Sequence, residues 1–520
     1  MITRVHSATL LGVDARQVDI EIDFAVGLPA FHLVGLPDNA VRESRLRVQA
    51  AIENLTLEFP VDRRVTVNLA PANIRKDGTA FDLPIALAIL RAQGVVPPRD
   101  DAPRLKDYLV AGELALDGRV RPIRGALAMA ILARDMGLKG VMVPQENAAE
   151  AAVVRSVDVL GIEHLSELVA LMQARAPKQP EAPGPHLLAD PAPTVELDFS
   201  QVCGQLPARR ALEVAAAGAH NVLMIGPPGS GKSMLARRLA TILPQMSFEE
   251  ALETTKIYSV TGRLPSHTPW IAERPFRAPH HTISEVGLVG GGSGVPRPGE
   301  LSMAHNGVLF LDELPEFRRN SLETLRQPLE NGQVTLTRSL VSLTFPADVM
   351  LVAAMNPCRC GHFGNPARRC SCSLDEIKRY RSRLSGPLLD RIDIHIGVPA
   401  VPYDELRRAK PSEASAAIRQ RVQTARDRQR ERLHLSGRHA NSQMGPDQLR
   451  RYCALDEGCH RMLGQVVERL GLSARSCDRM LKVARTIADL AGSPNIEMPH
   501  LAEAIHYRSL DRPLDAQLAS

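Results

Sequence analysis

The octapeptide Gly226-Pro-Pro-Gly-Ser-Gly-Lys-Ser233, closing the apolar run Asn221-Val-Leu-Met-Ile225, constrains this chain more than any other stretch. A short apolar strand that feeds a glycine-rich loop and then a helix requires an α/β layer around it. The loop's backbone N–H groups are placed to cradle phosphate at the start of that helix. Gly226, Pro227, Pro228, Gly229, Ser230, Gly231, Lys232, Ser233 and Met234 are therefore expected around a bound nucleotide. Lys232 is expected to reach the β- and γ-phosphates, and the Ser233 hydroxyl to hold Mg²⁺. A purely structural glycine turn does not account for Lys and Ser following at those offsets.

Two later apolar runs supply the rest of a hydrolytic site. Val308-Leu-Phe-Leu-Asp-Glu313 reads as a buried strand ending in adjacent carboxylates. Asp312 suits Mg²⁺ coordination, directly or through water, and Glu313 suits polarising the attacking water as general base. Met350-Leu-Val-Ala-Ala-Met355 is another such strand, with Asn356 at its tip, where an amide suits the γ-phosphate or its water. Each is weak alone; behind a P-loop they form a set.

Residues 1–170 alternate strand-like runs (Val65 to Leu69, Val141 to Val143) with Ala/Leu-rich helical runs (Leu83 to Leu90, Ala126 to Ala133). A linker at 171–195 carries six prolines between Pro177 and Pro193 and reads as an extended spacer. The P-loop domain spans 196–400, and 401–520 reads helical. There, one face is apolar (Ile418, Val422, Ala425, Leu433), while Arg419, Arg421, Arg426, Arg428, Arg430 and Arg432 occupy the others. Those arginines are either a solvated face or a surface for phosphates or a neighbouring subunit.

The formal charge of +5 is compatible with nucleic acid without arguing for it. With aromatics at 3%, base-stacking platforms are not expected to dominate any nucleic-acid contact. No run is long enough to span a bilayer and the first residues lack a signal-peptide pattern, so a cytoplasmic protein with no membrane partner is expected. Of eight cysteines, Cys358, Cys360, Cys370 and Cys372 fall within fifteen residues. Four thiolates on a short loop match tetrahedral structural Zn²⁺, with His362 as a substitute ligand.

The order of these motifs resembles the AAA+ ATPases, and within them the helix-2-insert clade of magnesium chelatases and replicative helicases. Leu388-Leu-Asp-Arg-Ile-Asp393 completes the likeness. The resemblance implies that Arg391 is an arginine finger acting on ATP held by a neighbouring subunit, and that Arg475 is the sensor 2 arginine of a helical lid. It implies a homo-hexamer, ATP- and DNA-promoted, using ATP and Mg²⁺. Between the Walker motifs, Arg274-Pro-Phe-Arg-Ala-Pro-His-His-Thr282 leads into Gly287-Leu-Val-Gly-Gly-Gly-Ser-Gly294, which reads as a loop too glycine-rich to pack as a helix. Val334 to Thr344 reads as a hairpin with Arg338 near its turn. Arg338, Arg274 and Arg277 are the candidate DNA contacts.

The narrower likeness is to the ComM/YifB family, carried by Arg274 to Thr282, Met355-Asn-Pro-Cys358, the cysteine cluster and Leu384 to Asp393. It implies a DNA motor that drives branch migration in natural transformation, working on single-stranded and branched double-stranded DNA beside recombination proteins. A magnesium-chelatase motor subunit acting on a protein partner is the alternative.

The first 170 residues resemble the proteolytic domain of Lon proteases, through Lys76-Asp-Gly-Thr-Ala-Phe-Asp82 and Gly112 to Leu127. Ala80 stands where that family has its serine nucleophile, and Leu127 where it has its lysine base. Neither side chain can attack a peptide bond or accept a proton. The expected fold is thus an AAA+ α/β core with a helical lid, preceded by an α+β Lon-like domain without its chemistry.

Overall fold

The computed structural model describes residues 2–182, 197–265, 269–292, 295–337, 342–365, 368–402, 407 and 412–508. The N-terminal strands are β1 (Thr3–Leu11), β2 (Asp14–Ala25), β3 (Ala30–Val34), β4 (Arg64–Ala70), β5 (Tyr108–Val110), β6 (Gly140–Pro144) and β7 (Asp158–Ile162). They form one mixed seven-stranded sheet in the order β3-β4-β2-β1-β5-β6-β7. Alternation along the strands builds two cores. Tyr108, Val110 and Met142 join one apolar cluster with helix α1 (Asp82–Ala92), while Leu109, Val141 and Val143 join another with α2 (Ala126–Asp135).

A short helix α3 (Gln145–Ala151) follows β6. Residues before 183 stay on this domain: Glu181 N–H donates to the Val159 carbonyl at 2.8 Å, and Lys178 pairs with Glu167.

The ATPase sheet has five parallel strands: β8 (Val222–Ile225), β9 (Phe276–Arg277), β10 (Val308–Leu311), β13 (Met350–Met355) and β14 (Ile394–Gly397), the hairpin strands β11 (Gln333–Thr337) and β12 (Ser342–Pro346) intervening in sequence. Their order is β9-β10-β13-β8-β14. Both faces are covered, so the strands are continuously apolar. Val222, Met224, Phe310, Val352 and Ala354 face one cluster; Leu223, Leu309, Leu311, Leu351 and Ala353 face the other.

Helices α4 (Leu206–Gly218), α5 (Lys232–Leu239) and α6 (Phe248–Thr261) precede the second strand, and α7 (Ser415–Leu433), α8 (Glu457–Leu470), α9 (Ala474–Ala491) and α10 (Met498–His506) close the chain. Ile418, Val422, Val483 and Leu501 lie in the same cluster as Val222, so these terminal helices share the sheet's core.

Two expectations need correction. Residues Glu285–Val289 form a helix although Gly287 is inside it, because the Ser284 side chain caps the Gly287 N–H at 3.0 Å and Leu288 and Val289 are buried. The arginines of α7 are not a free cationic surface: Arg421 and Arg428 stay exposed, but all six have partners. Arg419 donates to the Thr241 carbonyl, Arg421 pairs with Glu213 and Glu413, and Arg426 is buried on the Ala216 and Ala217 carbonyls. Arg428 bonds the Asp489 carbonyl, Arg430 pairs with Glu250, and Arg432 pairs with Asp489. They are mortar between α7 and its neighbours.

Candidate active site

The parallel register delivers three strand ends to one edge. Ile225 lies opposite Met355, and Leu311 opposite Ala353, so Gly226, Asp312 and Asn356 emerge side by side. The Gly226 N–H bonds the Met355 carbonyl at 3.2 Å. A Cβ on Gly226 would sit 2.0 Å from the Val398 carbonyl oxygen, which excludes any other residue. The loop then turns into α5, whose first residue is Lys232.

Lys232 Nζ donates to the Gly226 carbonyl at 2.8 Å, the Pro227 carbonyl at 2.9 Å and Asn356 Oδ1 at 3.3 Å. Its burial pulls the ammonium pKa below the ordinary lysine value, with Asp312 and Glu313 opposing that shift. Ser233 Oγ donates to Asp312 Oδ2 at 2.6 Å. A hydroxyl and a carboxylate in contact beside a buried lysine are a hard oxygen donor set of the kind Mg²⁺ takes with phosphate. Ser230 Oγ is buried with no partner among the described residues, a further polar group turned into the loop. Met234, one helical turn on, is half-buried and packs against the ATPase core.

Glu313 follows Asp312 in the left-handed region, at φ 52°. Its N–H is fixed by Asp312 Oδ1 at 2.9 Å, and its carboxylate is 56% exposed. His281 Nδ1 lies 3.6 Å from Glu313 Oε2, its ring packed edge-on against Phe317 and beside His280. The sequence reading gave His281 no role. Its signal was the pair His280-His281 placed just beyond β9, the strand that neighbours β10.

Arg391 and Arg475 lie away from this edge. Arg391 precedes β14, whose Ile394 pairs with Val222, so it sits at the opposite end of the strands from the P-loop. It bonds the Pro387 carbonyl at 2.7 Å and pairs with Glu330. The Arg391 bond first, then the charges of Arg391, Arg475 and Arg479, hold the Glu330 carboxyl below its usual range. Arg475 is exposed at the start of α9 beside that group. Thus neither arginine is positioned over the P-loop of its own chain.

The DNA-contact candidates separate. Arg274 is buried, pairing both oxygens of Glu250 at 3.0 Å and donating to the Pro244 and Asn306 carbonyls. Its guanidinium is fully engaged inside the domain, so it is no phosphate contact. Arg277 is half-exposed but pairs bidentately with Glu300 at 2.6 and 2.8 Å. Arg338 lies outside the described residues. The four sulfurs of Cys358, Cys360, Cys370 and Cys372 lie within 4.8 Å of one another and can hold a metal ion. In the N-terminal domain Leu127 is buried, and Ala80 packs on the same apolar cluster, with no nucleophile or base at either place. Among the described residues no helix is long and apolar enough to cross a membrane.

Comparison with known proteins agrees with this architecture. Residues 198–406 match the family described as magnesium chelatase, subunit ChlI; residues 20–147 and 412–508 match its ChlI and ChlI C-terminal models. YifB of Escherichia coli K12 is 42% identical over 518 residues, covering 98% of this chain and 97% of that protein. Competence protein ComM of Haemophilus influenzae is 42% identical over 515 residues, 98% of each chain. Lon protease 2 of Bacillus subtilis is 30% identical over 151 residues, 28% of this chain and 27% of that one. With near-complete likeness to ComM and YifB and a nucleotide site assembled at the sheet edge, the chain belongs to the ComM/YifB group of magnesium chelatase-like AAA+ ATPases.

Proposed function

We propose that this chain is an ATP-driven DNA motor, working as a homo-hexamer that promotes branch migration when incoming DNA recombines during natural transformation. The observation that carries the motor chemistry is the convergence of Ser233 on Asp312 and of Lys232 on Asn356, with Glu313 alongside. The DNA substrate draws its support from the near full-length likeness to a protein named for competence. Single-stranded and branched duplex DNA, recombination proteins and a cytoplasmic place of action follow from that reading.

In this scheme Lys232 exchanges its two carbonyl partners for phosphate oxygens, which accept more strongly from a buried ammonium. Mg²⁺, held by Ser233 and Asp312, would neutralise charge on the phosphates. Glu313 orients and deprotonates the attacking water, and Asn356 positions it. Arg391 completes the site of the adjacent subunit, with Arg475 beside it, making hydrolysis conditional on assembly. The four thiolates suit a structural Zn²⁺.

A magnesium-chelatase-like motor remodelling a protein partner is the second reading, favoured by the family models themselves. ATP-driven branch migration on synthetic three- and four-strand junctions separates the two. Wild type should move the junction while Glu313→Gln, with ATP binding intact, does not. An assembled, ATPase-competent wild type that moves no junction would refute the DNA reading.

A further inference from the structure

The cysteine loop is built onto the nucleotide site. It starts two residues after Asn356, whose side chain touches Lys232. Its sulfurs stand 3.3 Å (Cys358–Cys360), 3.5 Å (Cys360–Cys370) and 3.7 Å (Cys358–Cys370) apart. A tetrahedral ion with metal–sulfur bonds of about 2.3 Å needs sulfur edges of about 3.8 Å. Cys358 is fully buried and the other three are half-buried, which suits a closed structural site.

Between the two cysteine pairs, Gly361 lies flat against the P-loop. Its φ is +83°, and a Cβ there would fall 2.5 Å from Pro228 Cδ and 2.8 Å from Pro228 Cγ. A Cys358 carbonyl bond to the Gly361 N–H at 3.0 Å ties this contact to the first thiolate. The far end is anchored too. Cys372 is followed by Ser373, which caps the helix Leu374–Arg381. Arg381 returns to the Pro357 carbonyl at 3.4 Å and stacks over Phe363 at 5.6 Å. The loop therefore backs Pro228, and among its described residues none joins an apolar cluster of the core.

We propose that a zinc ion bound by Cys358, Cys360, Cys370 and Cys372 braces the P-loop through Gly361 and Pro228, so that nucleotide affinity depends on the metal. This rests on the reading of the four thiolates as a structural zinc site. Without the ion nothing bonds the four sulfurs together, the loop rearranges, Gly361 leaves Pro228, and Pro228 loses its backing.

The test uses the full-length chain. Elemental analysis should find about one zinc per chain, and cobalt substitution should give a thiolate-to-cobalt charge-transfer band. Zinc removed by chelator should weaken binding of a fluorescent ATP analogue about tenfold, restored on adding zinc back. Absence of zinc and of the cobalt band would overturn the metal site itself. A full zinc complement with nucleotide affinity unchanged on its removal would overturn only the brace. Gly361→Ala guards against loss of fold, since it keeps all four thiolates. It should retain zinc and the native circular dichroism yet lose about tenfold in ATP affinity. Normal affinity in that variant would also overturn the brace.

Discussion

Glu313 holds its left-handed backbone at a strand end, where its carboxylate faces solvent and His281 approaches its tip. A general base must be aimed, and a displacement of about 1 Å can cost up to a hundredfold in rate. His281→Ala should therefore lower kcat for ATP about tenfold, with KM changed less than about twofold, and His281→Asn should restore part of the loss. Steady-state kinetics with and without DNA reads this out; equal loss in both variants would argue against aiming. Arg274 makes the opposite case. Its pairing with Glu250 is buried, and removing one partner of such a pair costs about 3–5 kcal/mol. Arg274→Ala should lower the denaturation midpoint sharply, while Arg277→Ala, half-exposed, should lower it far less. The P-loop, Asp312, Glu313 and Asn356 were legible because each lies at the end of its own strand in consecutive residues. Arg274 was not, since its meaning depends on Glu250, twenty-four residues upstream.

An element at the contact between the two domains carries a titrating group. Glu150, on α3, is buried, bonded to Asn147 Nδ2 at 2.8 Å, and lies close to Ser259 of α6 across the domain junction. Burial pushes its carboxyl up to about 7, with Asn147 and Ser259 offsetting only part. The ordinary value in an unfolded chain is about 4.3. The folded state thus keeps a proton that the unfolded state has released between those values. Its contribution is full below about pH 4.3 and is lost as pH rises through about 7, roughly 4 kcal/mol in all. Urea unfolding of Glu150→Gln should show a flatter pH profile between 5 and 8 than wild type. The helices Asp82–Ala92 and Ala126–Asp135 were legible from their Ala/Leu-rich runs. The arginines of α7 were not, because their partners, Glu213, Glu250 and Asp489, belong to other elements, and charge alone does not distinguish mortar from surface.

Across the whole molecule, one chain holds Lys232 at one end of its parallel strands and Arg391, beside Glu330, at the other. On the proposed reading of Arg391 as a finger for the neighbouring subunit, a single subunit carries two half-sites. Lys232→Ala and Arg391→Ala should each lack ATPase activity alone, and mixing them should restore a measurable fraction, because some interfaces then carry one intact half from each. Mixtures that remain inactive while still assembling would show that Arg391 acts within its own chain or only holds structure. This arrangement was not legible in the sequence: motif order locates residues along the chain, whereas the separation of Arg391 from Lys232 comes from strand register. The first 170 residues also pack against the ATPase domain. The turn between β1 and β2 brings Val13 into an apolar cluster with Ile257, Met303, Leu343 and Phe345, and Leu343 Cδ2 lies 3.7 Å from where Gly12 would place a Cβ. Removing the first domain would strip the floor from the β11–β12 hairpin, leaving two large apolar side chains facing water.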